Sequence, residues 1–127
     1  CYLVASAGYY LSKIVDIKES KGYKHIILAG GLNHIPTATL NGKHPFKIIS
    51  MNQKKLYANQ IEVIDEIVDI DGPLCTAEDK VLWDVYVEKA QIGDIVIIRQ
   101  AGAYCYSAAW LEFLSHEYPV ELIINNK

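Results

Sequence analysis

With 127 residues the chain has room for one domain around one hydrophobic core. Its composition, 51% hydrophobic and 21% charged, is that of an ordinary globular protein, and no apolar run is long enough to span a bilayer. A net charge of −3 without a basic stripe excludes nucleic acid as a natural partner, and Arg99 is the single arginine among 12 basic residues, which leaves little for bidentate grip on phosphates. Lys13 and Asp16 interrupt the first apolar stretch, and no cleavage-type segment follows, so no secretory signal is read. Three cysteines at irregular spacing make no disulfide framework, and the expected location is the cytoplasm. The chain opens at Cys1 without a Met, directly in a strand-like run, and is expected to be a piece of a longer protein.

In chain order, residues 2–17 read as one long or broken strand, with Gly8 a bulge or close-approach point. Lys18 to Gly22 is a charged hairpin turn, and Tyr23 to Leu28 an Ile-rich buried strand. Ala29-Gly30-Gly31 ends it. The stretch 33–39 is loop-like, and Asn41-Gly42 is a tight-turn signal. Phe46 to Met51 is a short strand, and 52–60 a polar loop. Ile61 to Asp71 alternates apolar and acidic residues; β-branched enrichment and the following Gly-Pro favour strand over helix. Asp79 to Val81 is expected to turn once, and Trp83 to Val87 to resume a strand. Glu88 to Gly93 is a loop, and Ile95 to Ile98 another buried strand. Ser107 to Leu114 reads as a helix, with Ser107 its N-cap and Ala108, Ala109, Leu111 and Leu114 as helix formers. Val120 to Ile124 is a last strand. Short strands between turn signals predict a mainly β fold, a Greek-key barrel or sandwich with one short helix.

Two loops carry chemistry. Asp71-Gly72-Pro73-Leu74-Cys75-Thr76-Ala77-Glu78-Asp79 sets a thiol among carboxylates at a strand end, where a rigid scaffold presents reactive groups. Such a thiol is a nucleophile or a proton donor; the neighbouring acids raise its pKa and favour the donor. The alternative is a buried structural cysteine. Ala101-Gly102-Ala103-Tyr104-Cys105-Tyr106 combines small residues with a directional phenol; the alternative is a tight turn with packed aromatics. His25, His34, His44 and His116 lack metal-ligand spacing, and no metal is expected. Gly30-Gly31 is a strand end, not a dinucleotide fingerprint.

Taken together, Gly72-Pro73-Leu74-Cys75 with Asp79, then Gly93-Asp94, then Ala101-Gly102-Ala103-Tyr104 resemble the C-terminal β domain of the fold-type-III decarboxylases that use pyridoxal phosphate: diaminopimelate, ornithine and arginine decarboxylases. Tyr2 to Gly8 and Ala29 to Asn33 extend the likeness over nearly the whole chain. The resemblance implies that residues 1–127 are the C-terminal domain, that the N-terminal (β/α)₈ barrel holding the cofactor on a Schiff-base lysine lies outside this chain, and that the fragment alone is inactive. It implies an active site shared across a homodimer. There Cys75 reprotonates the substrate in the partner subunit, Tyr104 bonds the cofactor's phosphate, and Thr76 and Asp79 shape the cysteine loop.

Thr76 stands where diaminopimelate decarboxylases carry an acid, and Thr37 and Asn41 stand where they carry an arginine and a tyrosine. Neither can grip a distal carboxylate bidentately. Gly-Pro-Leu-Cys-Thr, Gly30 to His34 and Phe113-Leu114-Ser115-His116 resemble a subgroup of secondary metabolism that includes the butirosin-pathway enzyme acting on carrier-bound glutamate. The expected substrate is therefore an amino acid other than diaminopimelate, free or tethered to a carrier protein. The rival readings are a diaminopimelate- or ornithine-type decarboxylase proper, an alanine-racemase-like enzyme, and a non-catalytic β-barrel interaction module. In Gly-Ala-Tyr-Gly of the family, Cys105 replaces the last glycine.

Overall fold

The computed structural model describes residues 3–36, 43–51 and 59–125. The expected turn at Asn41-Gly42, the ligand positions Thr37 and Asn41, and most of the polar loop 52–60 lie outside the described residues. Among the described residues six strands form one sheet: β1 (Tyr9–Ser20), β2 (Tyr23–Leu28), β3 (Phe46–Ile49), β4 (Val63–Asp71), β5 (Lys80–Ala90) and β6 (Ile95–Arg99). Their order is β3-β6-β1-β2-β4-β5, and the sheet curls into a nearly closed barrel. Every neighbouring pair is antiparallel except β2 and β4, which run parallel. Among the described residues no helix is long and apolar enough to cross a membrane.

The long first strand makes the curl. Its first half, Tyr9 to Lys13, pairs with β6, and its second half, from Ile14 onward, pairs with β2. The register slips between Ile14 and Asp16, which leaves Val15 exposed and bends the strand where it changes partner. The Lys21-Gly22 turn that follows has positive φ at both residues, 52° and 79°. That is the geometry of a two-residue hairpin whose twist matches its strands.

Alternation sends Ile14, Ile17, Ile26, Leu28, Val96 and Ile98 into the core, where β4 and β5 add Val68, Ile70, Val81, Leu82 and Val87, all nearly or wholly buried. Each such side chain contributes roughly 1.5–3 kcal/mol when it leaves water. Of the β-branched residues that argued for strand over helix here, Val63, Val68 and Ile70 fill this interior, while Ile61, Ile64 and Ile67 stay exposed.

Four expectations fail, each for a physical reason. Residues 3–8 do not belong to the first strand: Ala5–Ala7 form a 3₁₀ turn in which the Ala7 N–H donates to Val4 O, and β1 starts only at Tyr9. Residues 80 and 81 do not turn; β5 already runs from Lys80 and continues to Ala90, because its whole length pairs with β4. Ser107 to Leu114 is not a helix. The Trp110 N–H donates to Leu32 O of another loop at 3.3 Å, and Leu114 and Ser115 have φ of 56° and 55°, so only a three-residue 3₁₀ turn, Phe113–Ser115, forms. A segment this short does not repay its own nucleation, and the tertiary contact prevails. Val120 to Ile124 forms no strand; Val120, Leu122, Ile123 and Ile124 are 83–90% exposed. Strand propensity alone gives no ladder without a partner edge.

Candidate active-site loops

The loop 72–79 is built around Asp79. This residue is 3% exposed, and its two carboxylate oxygens accept from different strand-end loops. Oδ1 accepts from the Leu32 N–H at 2.6 Å and Oδ2 from the Leu74 N–H at 2.7 Å. Its carbonyl accepts from the Gly72 N–H at 2.8 Å, and its own N–H reaches Thr76 O at 3.2 Å. Asp79 thus closes the cysteine loop on itself and clamps it to the Gly30-Gly31 strand end. The glycines are there because nothing larger fits: a Cβ on Gly31 or Gly72 would lie 2.2 Å from an Asp79 oxygen. This is close approach of backbone to a buried carboxylate.

Cys75 stands exposed at the tip of that loop, and it is a free thiol. The acids around it in sequence serve other partners. Glu78 accepts from the Thr76 hydroxyl, which, as the leading cause, holds its carboxyl below the ordinary carboxylate value. Asp79 faces backbone amides. Asp71 accepts from His25 Nδ1 at 2.8 Å. The acid-crowded thiol pictured from sequence is therefore resolved into a thiol on a loop whose carboxylates are each tied to a named donor.

The second loop rests on the chain's opening turn. Gly102 N–H donates to Ala5 O and Ala101 N–H to Gly8 O, both at 3.0 Å. Gly8 and Gly102 touch so closely that a Cβ on Gly8 would lie 2.5 Å from the Gly102 Cα. Gly8 is thus the close-approach point the sequence suggested, just ahead of β1. Tyr104 follows at φ 61° and is 61% exposed; Cys105 beside it is buried. Tyr104 presents its phenol outward rather than packing it, so the packed-aromatic alternative does not describe this residue.

A polar network at the root of the cysteine loop was not read from the sequence. Asp69 accepts from the Asp84 N–H at 3.0 Å, from the Tyr23 hydroxyl at 3.3 Å and from Lys80 Nζ. Burial raises its carboxyl, but these three donors together outweigh burial and hold it below the ordinary value. Lys80 is raised, first by its bond to Asp69. His25, Asp69 and Asp71 bring one potential metal-ligand atom each within 4.8 Å of one another, with the Lys80 ammonium already bonded to Asp69 as the local cation. The available signal was an acid pair at i and i+2 in an apolar strand, which puts both on one face. His25 itself is satisfied by Asp71.

Asp71 differs from its neighbours. Burial, partly offset by His25 and Lys80, raises its carboxyl above the ordinary 3.8, and its Oδ1 is buried with no hydrogen-bond partner among the described residues. A raised carboxylate adds stability that is full below its unfolded pKa and is lost as pH rises through the folded value. Asp71→Asn keeps an acceptor for His25 and removes the desolvated charge. Its unfolding free energy is expected to match or exceed wild type by about 1 kcal/mol at neutral pH, with the gain vanishing toward pH 3–4. A loss at neutral pH, read from denaturant midpoints across pH, would show that pairing with His25 outweighs burial.

Residues 1–102 match the family model of the pyridoxal-dependent decarboxylase C-terminal sheet domain. The chain is 34% identical to the L-glutamyl-[BtrI acyl-carrier protein] decarboxylase of Niallia circulans over 98% of its length, covering 29% of that protein. It is 30% identical over 93% of its length to the 2-[(L-alanin-3-ylcarbamoyl)methyl]-2-hydroxybutanedioate decarboxylase of Staphylococcus aureus, covering 30% of it. Among solved structures, the diaminopimelate decarboxylase of M. jannaschii in complex with L-lysine matches with a TM-score of 0.71 at 31% identity, covering 92% of this chain and 25% of that one. The chain belongs to the pyridoxal-dependent decarboxylase family, as its C-terminal sheet domain. It spans about three tenths of the length of the first two relatives.

Proposed function

We propose that this chain is the C-terminal domain of a full-length amino-acid decarboxylase dependent on pyridoxal phosphate, and that it completes the active site where two subunits meet. The observation that carries the reading is Cys75: a free thiol at an exposed loop tip whose base is locked by Asp79. A group that must deliver a proton to a site outside its own domain needs this combination of reach and fixed position. When bound, the cofactor stabilises the electron pair left as carbon dioxide departs. Cys75 Sγ holds a proton and passes it to the substrate's α-carbon. Asp79 fixes the loop that aims the thiol.

Tyr104 fits a phosphate. The residue is exposed on a loop of small residues, where one O–H donor can meet a phosphate oxygen. Tyr104→Phe in the full-length enzyme is expected to raise the cofactor's Kd about tenfold, the worth of one charge-assisted hydrogen bond, with folding intact. An unchanged Kd would remove the assignment.

The substrate proposed is an α-amino acid borne on a larger group. The two relatives above act, by name, on a glutamyl unit on a carrier protein and on an alanin-3-yl unit amide-linked to a hydroxybutanedioate. Thr76 supports this reading, since its hydroxyl is engaged by Glu78 and it offers no charge for a free distal ammonium or carboxylate. Carbon dioxide release from meso-diaminopimelate and from γ-amides of L-glutamate decides the matter. Preference for the amides is expected; preference for diaminopimelate would contradict it.

A further inference from the structure

Beside the cysteine loop lies an open groove of about 620 Å³, within the size range of small-molecule sites. One wall is the loop itself, through Ala77 and Glu78; the other carries Trp83 of β5 and Trp110. Its polar lining is the Tyr23–Asp69–Asp84–Lys80 network. We propose that this groove receives the arm attached to the distal end of the substrate, and that the arm is uncharged and amide-bearing. The inference rests on the decarboxylase reading and assigns a subsite to it.

Three observations carry it. The first is continuity: Ala77 and Glu78 lie two and three residues beyond Cys75 on one loop, so an arm leaving the reacting end along that loop enters the groove directly. The second is shape and surface. Trp83, Trp110 and Leu32 line it and offer broad apolar area at little conformational cost, which suits an extended chain of methylenes and amide planes. The third is charge. Asp69 and Asp84 both accept from Tyr23, and Asp69 also binds Lys80. With Glu78 they give the groove three carboxylates against one ammonium, which disfavours an anionic arm such as the hydroxybutanedioate named for the second relative and sides with the carrier-borne type of the first. Lys80 has three N–H donors; with one on Asp69, the others can meet an amide carbonyl. Trp83 is then a specificity-determining residue that never touches the reacting atoms.

The test uses the full-length enzyme loaded with cofactor and three probes: the γ-methylamide of L-glutamate, the γ-amide bearing a neutral acetamidopropyl arm, and the γ-amide bearing a carboxypropyl arm. Carbon dioxide release and calorimetric binding are both read. The neutral-armed amide is expected to show a KM about tenfold below the methylamide, and the anionic-armed amide no such gain. Trp83→Ala should abolish the gain and leave the methylamide's kcat/KM unchanged, while Trp83→Phe should keep most of it. If Trp83→Ala does not fold, Ala77→Trp, which fills the groove from the exposed loop side, should give the same loss. An advantage that survives both variants, or a fall shared equally by long and short amides, overturns the proposal. If the wild-type enzyme releases no carbon dioxide from any probe, the glutamate-amide substrate reading fails, and binding decides the groove. Heat on adding the neutral-armed amide that Trp83→Ala removes sustains it, and its absence overturns it.

Discussion

Replacing Asp79 with alanine in the full-length enzyme is expected to reduce kcat about a hundredfold or more and to free the Leu32 and Leu74 amides for exchange. Both N–H groups now end on separate oxygens of one carboxylate that is almost wholly buried. Removing it strands two donors, each charge-assisted bond being worth about 1.5–3 kcal/mol. Local opening of the loop should then become about a hundredfold more frequent, readable as exchange at those amides. Asparagine is no rescue, because its amide nitrogen would point at one of the two N–H donors and leave it unmet. Glutamate cannot fit either, since the carboxylate already lies against Gly31 and Gly72 without space for a methyl. Gly31→Ala and Gly72→Ala should show the same pattern from the other side of the contact. Wild-type exchange at Leu32 and Leu74 in Asp79→Ala would mean that the clamp is not what holds the loop.

The second large effect is expected at Cys75 itself. Cys75→Ala removes the proposed proton donor without disturbing the core, because the side chain is exposed. General acid catalysis contributes about 10²- to 10⁴-fold, and a loss of kcat in that range is expected with substrate binding little changed. Cys75→Ser keeps an O–H at the same place but a much weaker acid, and should recover only part of the rate. The two variants separate position from chemistry: Asp79→Ala should raise loop exchange and lower kcat, whereas Cys75→Ala should lower kcat alone.

The strands were legible because their evidence is local. Alternating Ile and Val mark β2, β4 and β6, and Lys21-Gly22 marks the first hairpin. The cysteine and tyrosine loops were legible as paired motifs at the ends of those strands. What escaped depends on partners distant in sequence. Ser107 to Leu114 has helix-forming residues, yet Trp110 bonds to Leu32, far away in sequence. Val120 to Ile124 has strand composition but no ladder among the described residues. The pairing of His25 with Asp71, and of Tyr23 with Asp69 and Asp84, follows from β2 lying parallel to β4 and β4 antiparallel to β5, a register that no single segment encodes. Asp79 was readable as a shaper of the loop, but its reach to Leu32 was not. The glycine pair at 30–31 was the only trace of it.

The central claim is that Cys75 supplies the proton that replaces carbon dioxide. The most direct measurement is the stereochemistry of deuterium at the product's former α-carbon when the full-length enzyme works in heavy water. The wild-type enzyme is predicted to place one deuterium on a single face, and Cys75→Ala to give slow turnover with deuterium on both faces, solvent having replaced the thiol. Single-face deuteration at an undiminished rate in Cys75→Ala would contradict the account.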